Sequence, residues 1–420
     1  MLCYTAEVLF IESGEEMSDK VENRISFTQK LVDGLVLFLS AIIIGALCGV
    51  IGTAFIKSIS FVTHMREKND FFIFLLPFGG LVSAGIYKLT KMEKVGTGRA
   101  LQSARGEAQT PVILIPAIFI ASVITHCFGG SAGKEGAALQ LGSGAAEIVS
   151  KITKADKERR PVLTVCGMAA LFSAVFGTPA GACVFAAEVA FAGAVNVSAA
   201  IPAFASSVIA FLVSTALGVA PERFHISLVP EFGAVVLLRT LAAAAAVALV
   251  SAAFCHILHK SKSFAEKVCK NPFLRIFAGG CIVIILTLVF GKDYNGGGMS
   301  VIERVFETDT VRPEAFLLKI IFTAVTIAAG FKGGEIVPSL FIGSTFGGFL
   351  SQFLGLPCGY GAAVGMIAFF SGVTNCPLAS AVIAVELFGT DGFLLFAASA
   401  FVARAVSGKI SLYEETKTLK

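Results

Sequence analysis

Residues 167–188 read GMAALFSAVFGTPAGACVFAAE, and residues 365–386 read GMIAFFSGVTNCPLASAVIAVE. Aligned without gaps at an offset of 198, they share Gly, Met, Ala, Phe, Ser, Val, Pro, Val, Ala and Glu, ten of 22 positions. A weaker pair keeps the same order: Gly133 to Ser143 (GKEGAALQLGS) matches Gly334 to Ser344 (GEIVPSLFIGS) at an offset of 201. Shared apolar composition alone does not produce two offsets so close. The chain therefore reads as two homologous halves, drawn at 28–228 and 229–413, between a polar N-terminal tail (1–27) and a short C-terminal tail (414–420). Halves of this kind in transporters are usually related by a pseudo-two-fold axis with the substrate site between them; parallel repeats are the alternative.

Outward from the repeat, the composition points to a membrane. Hydrophobic residues make up 55% of the chain and charged residues 15%, and the mean hydropathy is +0.83, too apolar for a soluble globular fold. The stretches 35–56, 111–128, 198–219, 232–258 and 274–290 are nearly free of charge and long enough to cross the hydrocarbon core. The apolar runs 134–147, 161–176, 337–347 and 359–373 are shorter and broken by Gly and Pro, as expected of helices that stop partway through a bilayer. Such breaks are tolerated inside protein or beside a water-filled cavity.

Basic residues collect at Lys88 to Arg105, Lys151 to Arg160 and His259 to Arg275, which the positive-inside tendency assigns to the cytoplasm. The net charge of +4 comes largely from these loops, and solvated loops explain it better than a nucleic-acid partner. The first residues lack the basic-plus-apolar pattern of a signal peptide, and the N-terminal tail is expected to be cytoplasmic. The ten cysteines include no CxxC and sit mostly in apolar runs, where free Cys acts as a small hydrophobe. The five histidines show no ligand spacing, so neither a metal nor another cofactor is expected.

Four glycine-containing elements stand out: Gly96-Thr97-Gly98, Gly129 to Gly136 (GGSAGKEG), Gly330 to Pro338 (GFKGGEIVP) and Gly408 to Tyr413 (GKISLY). In the second and third a Gly-rich turn leads directly into an apolar run of helical length. Glycine exposes bare N–H groups there, and a helix start adds partial positive charge. Several such starts converging at midplane would bind a small anion without burying a full cation.

Glu135 is the carboxylate of first interest, because an acidic group deep in a membrane protein is costly and usually functional. Ionised, it could occupy the anion's own site; protonated, it could vacate it, which would couple anion to proton. The bland alternative is a helix cap or a pair with Lys134. Glu335 faces the same choice, a proton site or a helix-start carboxylate paired with Lys332. Glu188 and Glu386 fall at repeat-related positions and are assigned a shared structural job, bonding backbone N–H groups of a neighbouring loop. Glu107, Glu231 and the Asp156–Arg160 run read as loop residues at a bilayer face.

These residues resemble the CLC family of chloride channels and transporters. Gly133-Lys134-Glu135-Gly136 is similar to its gating-glutamate motif, with Ala137 where Pro is usual. Phe176 to Glu188, with Pro179, resembles the helix leading to the inner glutamate, and Gly408 to Tyr413 the C-terminal G-K-x-x-L-Y element. The resemblance runs in family order from about residue 30 to 413. It implies an all-α membrane bundle of partly broken helices in two inverted-topology repeats, and a homodimer with one anion pathway per subunit. Glu135 would be the external gate, Tyr413 would offer its hydroxyl to the central anion, and the N–H groups of Ile336 and Val337 would line the site with Gly133, Gly136 and Thr97. No cytoplasmic regulatory domain is expected after Tyr413.

Departures from the family pattern select the subtype. The first motif reads Gly96-Thr97-Gly98-Arg99-Ala100 where chloride-selective members carry G-S-G-I-P, and Val189 stands where proton-coupled chloride exchangers have a second glutamate. Gly333-Gly334-Glu335 resembles the fluoride/proton antiporter branch, which also lacks the inner glutamate; Val337 replaces its usual Thr. The expectation is therefore fluoride export by proton-coupled antiport across a bacterial inner (plasma) membrane, gated by Glu135 and Glu335. A chloride or nitrate/proton exchanger and an uncoupled chloride channel are the alternatives. A membrane-embedded hydrolase is disfavoured, since the chain has no HExxH, no GxSxG and no paired aspartates on one helix face.

Overall fold

A computed structural model of the chain describes residues 32–191 and 199–413; the expected tails, 1–27 and 414–420, lie outside the described residues. Among the described residues the architecture is helical, with a single isolated β-bridge between Gly133 and Gly334. The first half comprises α1 (Val32–Lys68), α2 (Phe71–Phe74), α3 (Leu76–Leu89), α4 (Thr97–Ala104), α5 (Leu114–Cys127), α6 (Glu135–Ile152), α7 (Arg159–Phe176), α8 (Pro179–Val189) and α9 (Ala199–Ala216). The second comprises α10 (Ala234–Val268), α11 (Pro272–Phe290), α12 (Met299–Thr308), α13 (Ala315–Ala329), α14 (Ile336–Leu354), α15 (Cys358–Thr374), α16 (Pro377–Phe388) and α17 (Phe393–Ser407).

The repeat is visible element by element: α4 corresponds to α12, α5 to α13, α6 to α14, α7 to α15 and α8 to α16. The breaks recur too. Helix α7 ends on Gly177 (φ 72°) and α15 on Asn375 (φ 61°), both left-handed, and each is followed by a proline opening the next helix, Pro179 or Pro377. Repeat-related glycine pairs let neighbouring helices touch. A Cβ on Gly142 would lie 2.1 Å from the Gly167 carbonyl oxygen, and one on Gly343 would lie 2.5 Å from that of Gly365. Close backbone approach at small residues is how helices associate in lipid, where the hydrophobic effect supplies little between them.

Among the described residues six helices are long and apolar enough to cross a bilayer, including Arg159–Phe176 and Ile336–Leu354. Two of the runs expected to be short are thus of full spanning length, but they are 78% and 72% buried inside the protein. Their glycines serve packing rather than termination. Apart from the single-turn α2, the shortest helices are α4, α8, α12 and α16, with 8, 11, 10 and 12 residues. The run at 359–373 forms the 17-residue α15, below spanning length as expected.

Two reciprocal contacts reveal the symmetry. The Glu188 carboxylate at the end of α8 accepts from Leu378 N (3.3 Å) and Ala379 N (2.8 Å) in the first turn of α16. The Glu386 carboxylate at the end of α16 accepts from Ala180 N (3.0 Å) and Gly181 N (2.7 Å) in the first turn of α8. Each half makes to the other the contact it receives, as a two-fold rotation requires and a translation does not allow. The shared structural job expected of these glutamates is present, on the partner helix's first turn rather than on a loop. The start of α4 (Gly96, Thr97, Gly98) lines one cavity, whereas the start of its counterpart α12 (Gly297 to Ser300) lines another. Equivalent segments thus open to different mouths, and the repeats are inverted.

Candidate functional site

The site grows from the bridge between the two glycine-rich turns. Gly133 N donates to Gly334 O (2.6 Å) and Gly334 N to Gly133 O (2.7 Å), which draws the starts of α6 and α14 together. Gly334 admits no side chain, since its Cβ would lie 2.4 Å from the backbone Gly136 N, and a Cβ on Gly133 would press the Glu135 carboxylate, 2.5 Å from its Oε2. Two helix N-termini with free N–H groups therefore share one small volume, a ready environment for negative charge.

Glu135 fills that volume. It is fully buried at the first position of α6, and its Oε2 accepts from Val337 N (3.3 Å) across the repeat interface. Its Oε1 has no hydrogen-bond partner among the described residues. The pair with Lys134 entertained from sequence is not formed: the Lys134 ammonium bonds Glu222 (Nζ–Oε1 3.1 Å). The carboxylate is therefore held by a backbone donor, with no ion pair to Lys134.

Two cavities border this group, and their linings share no residue. The one carrying basic clusters that the positive-inside tendency assigns to the cytoplasm is labelled inner, the other outer. The outer one is lined by Gly133, Lys134, Glu222, Arg66, the Gly296–Gly298 turn and Val337. The inner one is lined by Thr97, Gln140, Lys332, Glu335 and Tyr413, with Lys94, Arg99, Lys262 and Arg275 at its rim. Two of the basic clusters assigned to the cytoplasm, 88–105 and 259–275, thus share the inner cavity.

Of the residues singled out from sequence, Gly133, Glu135, Gly136 and Val337 form one contiguous group. Thr97 joins it through Gly136: Thr97 Oγ1 lies 3.4 Å from Gly136 O. Ile336 is buried at the first position of α14, yet the N–H that Glu135 takes is that of Val337. Glu335 is half-buried at the N-cap of α14 without a side-chain cap bond. Its expected partner Lys332 lies instead over the Tyr87 ring, 4.2 Å from the centroid. Tyr413, 6% exposed, stands on the inner side with Glu335 and Thr97.

Three nearby residues escaped the sequence reading. Gln140, one turn beyond Gly136, bonds both Gly136 O and Thr97 Oγ1. Lys319 is fully buried on α13; its Nζ donates to Tyr294 O (3.1 Å) and Gly296 O (2.7 Å) and lies 5.1 Å from the Phe341 ring centroid. Arg66 approaches the same turn from α1 and donates to His126 O. This turn rests on the site, since a Cβ on Gly297 would lie 3.0 Å from Val337 Cγ1. The signal for Lys319 was available: it is the only charge in the run Ala315–Ala329.

Known proteins share the sequence and fold of this chain. The family profile described as "Voltage gated chloride channel" matches residues 79–408. A relative in Pseudomonas syringae pv. tomato, described as a chloride/fluoride channel protein, is 31% identical over 380 residues, covering 88% of this chain and 84% of the relative. The crystal structure of a CLC-type fluoride/proton antiporter superposes with a TM-score of 0.87 at 30% identity, covering 90% of this chain and 96% of that one. A slow cyanobacterial Cl-/H+ antiporter shares the fold at 16% identity, with a TM-score of 0.79 and the same coverage.

Proposed function

This chain belongs to the voltage gated chloride channel family, and on that premise we propose that it moves a small halide across the membrane by proton-coupled antiport, exporting fluoride. The observation that carries this reading is the Glu135 carboxylate on the Val337 N–H, between two cavities and at the meeting of two helix starts. Ionised, Glu135 takes the anion's donors and closes the path. Protonated, it has no charge to hold there, yields the donors, and leaves the site to fluoride. A proton taken from outside and released inside would then drive fluoride outward.

On the inner side, Thr97 and Tyr413 would offer hydroxyl donors to the anion, with backbone from Gly133, Gly136, Ile336 and Val337 around it. Glu335, at the inner cavity with no ion pair to Lys332 among the described residues, would be the second protonation site. It would stand in for the inner glutamate that Val189 replaces. Val337 brings an N–H but no hydroxyl. The division into halves at 28–228 and 229–413 agrees with α9 ending at Ala216 and α10 beginning at Ala234. We further read the protein as a homodimer in the bacterial plasma membrane, and as a transporter rather than an enzyme.

The test is anion efflux from liposomes holding the pure protein, loaded with fluoride or chloride, with external pH recorded. Fluoride efflux well above chloride, with matching proton uptake that Glu135→Ala abolishes, is the expected result. Chloride efflux as fast as fluoride would overturn the fluoride assignment. Proton movement with that chloride would then indicate a chloride exchanger, and none an uncoupled channel.

A further inference from the structure

Gln140 is 4% exposed, and its Nε2 donates to Gly136 O (3.1 Å) and to Thr97 Oγ1 (3.2 Å). The orientation of this amide follows from its partners. A backbone carbonyl only accepts, so the nitrogen end must face Gly136 O. Thr97 Oγ1, touching the same nitrogen, must then accept as well. The Thr97 hydroxyl hydrogen is left two destinations. One is Gly136 O, at a longer 3.4 Å and already taken by the amide; the other is the inner cavity that Thr97 lines. Packing alone does not account for Gln140, because its Oε1 is buried with no partner among the described residues. Leucine of similar volume would avoid that cost.

We propose that Gln140 is a positioning and specificity-determining residue for the anion. It holds the Thr97 oxygen as an acceptor, so that the hydroxyl hydrogen is directed into the pathway and donated to the ion. Without the amide, the hydroxyl turns its hydrogen to Gly136 O and presents lone pairs to the anion. A directed O–H donor favours the better hydrogen-bond acceptor, so the arrangement discriminates for fluoride over chloride. This inference rests on the halide-transport reading.

The experiment is fluoride and chloride efflux from liposomes for wild type, Gln140→Leu, Thr97→Val and the double variant, with Gln140→Met as a second unbranched replacement should Gln140→Leu fail to purify as a single species. One hydrogen bond to an anion corresponds to about tenfold in relative rate. The expected result is a fluoride-to-chloride preference lowered about tenfold in Gln140→Leu, with protons moved per fluoride unchanged. Thr97→Val should lower it equally, and the double variant no further, because both changes remove the same donor. A Gln140→Leu or Gln140→Met protein keeping wild-type preference while Thr97→Val loses it would overturn the proposal. So would an effect of Gln140→Leu that persists in the Thr97→Val background. If wild type itself moves chloride as fast as fluoride, the fluoride assignment fails on its own, independently of how Gln140 and Thr97 couple.

Discussion

Replacing Glu135 with Ala should strengthen halide binding. On the proposed mechanism the carboxylate occupies the anion's place, held across the repeat interface by a charge-assisted bond from Val337 N to Oε2 at 3.3 Å. Bonds to charged groups contribute about 1.5–3 kcal/mol, and the length here, with Oε1 lacking a partner, argues for the lower end. About 1.5 kcal/mol in favour of the closed arrangement leaves the site open about one time in ten. A ligand that binds only the open form has its apparent Kd weakened by that fraction, so Glu135→Ala should lower the Kd for fluoride about tenfold. Isothermal titration of the detergent-solubilised protein would measure this directly. Acid should tighten binding to wild type, because protonation vacates the site, and should leave Glu135→Ala unchanged. An Ala variant that is folded but binds no tighter would refute the competition. A pH dependence of binding that is the same in both proteins would do so equally.

Two further predictions concern what holds the site together. Gly334→Ala would put a Cβ 2.4 Å from Gly136 N, a backbone atom that cannot swing away, so loss of both stable protein and transport is expected in a thermal-stability and efflux screen. Wild-type behaviour would mean that the two helix starts are not fixed by the Gly133–Gly334 bridge. Glu188→Ala removes two backbone bonds, at 3.3 and 2.8 Å, and should cost about 2–4 kcal/mol, lowering the melting midpoint by several degrees while preserving protons moved per fluoride. An unchanged midpoint with lost proton coupling would transfer Glu188 from the fold to the proton path.

Composition, charge segregation and the self-match of 167–188 with 365–386 were enough to read a membrane bundle made of two related halves. These are properties of neighbouring residues along the chain, and lipid imposes them locally: apolar runs to cross the hydrocarbon, glycines where backbones approach, and charges only where function needs them. Glu135 was legible for the same reason, as a carboxylate at a glycine-rich helix start. Its partner was not, because Val337 lies 202 residues away and donates through a backbone N–H that every residue except proline carries. Lys134 and Lys332 show the limit from the other side. Adjacency in sequence suggested pairs with Glu135 and Glu335, but one lysine bonds Glu222 and the other lies over the Tyr87 ring. Gln140 could not be distinguished by pattern from a polar residue on a packed helix; only the approach of α4 turns its amide into a hold on the Thr97 hydroxyl. The self-match by itself left the inversion of the halves open, since a repeat in sequence is unsigned; only the family resemblance implied it. The exchange of carboxylates between Glu188 and Glu386 supplies the two-fold, and the opening of α4 and α12 to different cavities supplies its direction.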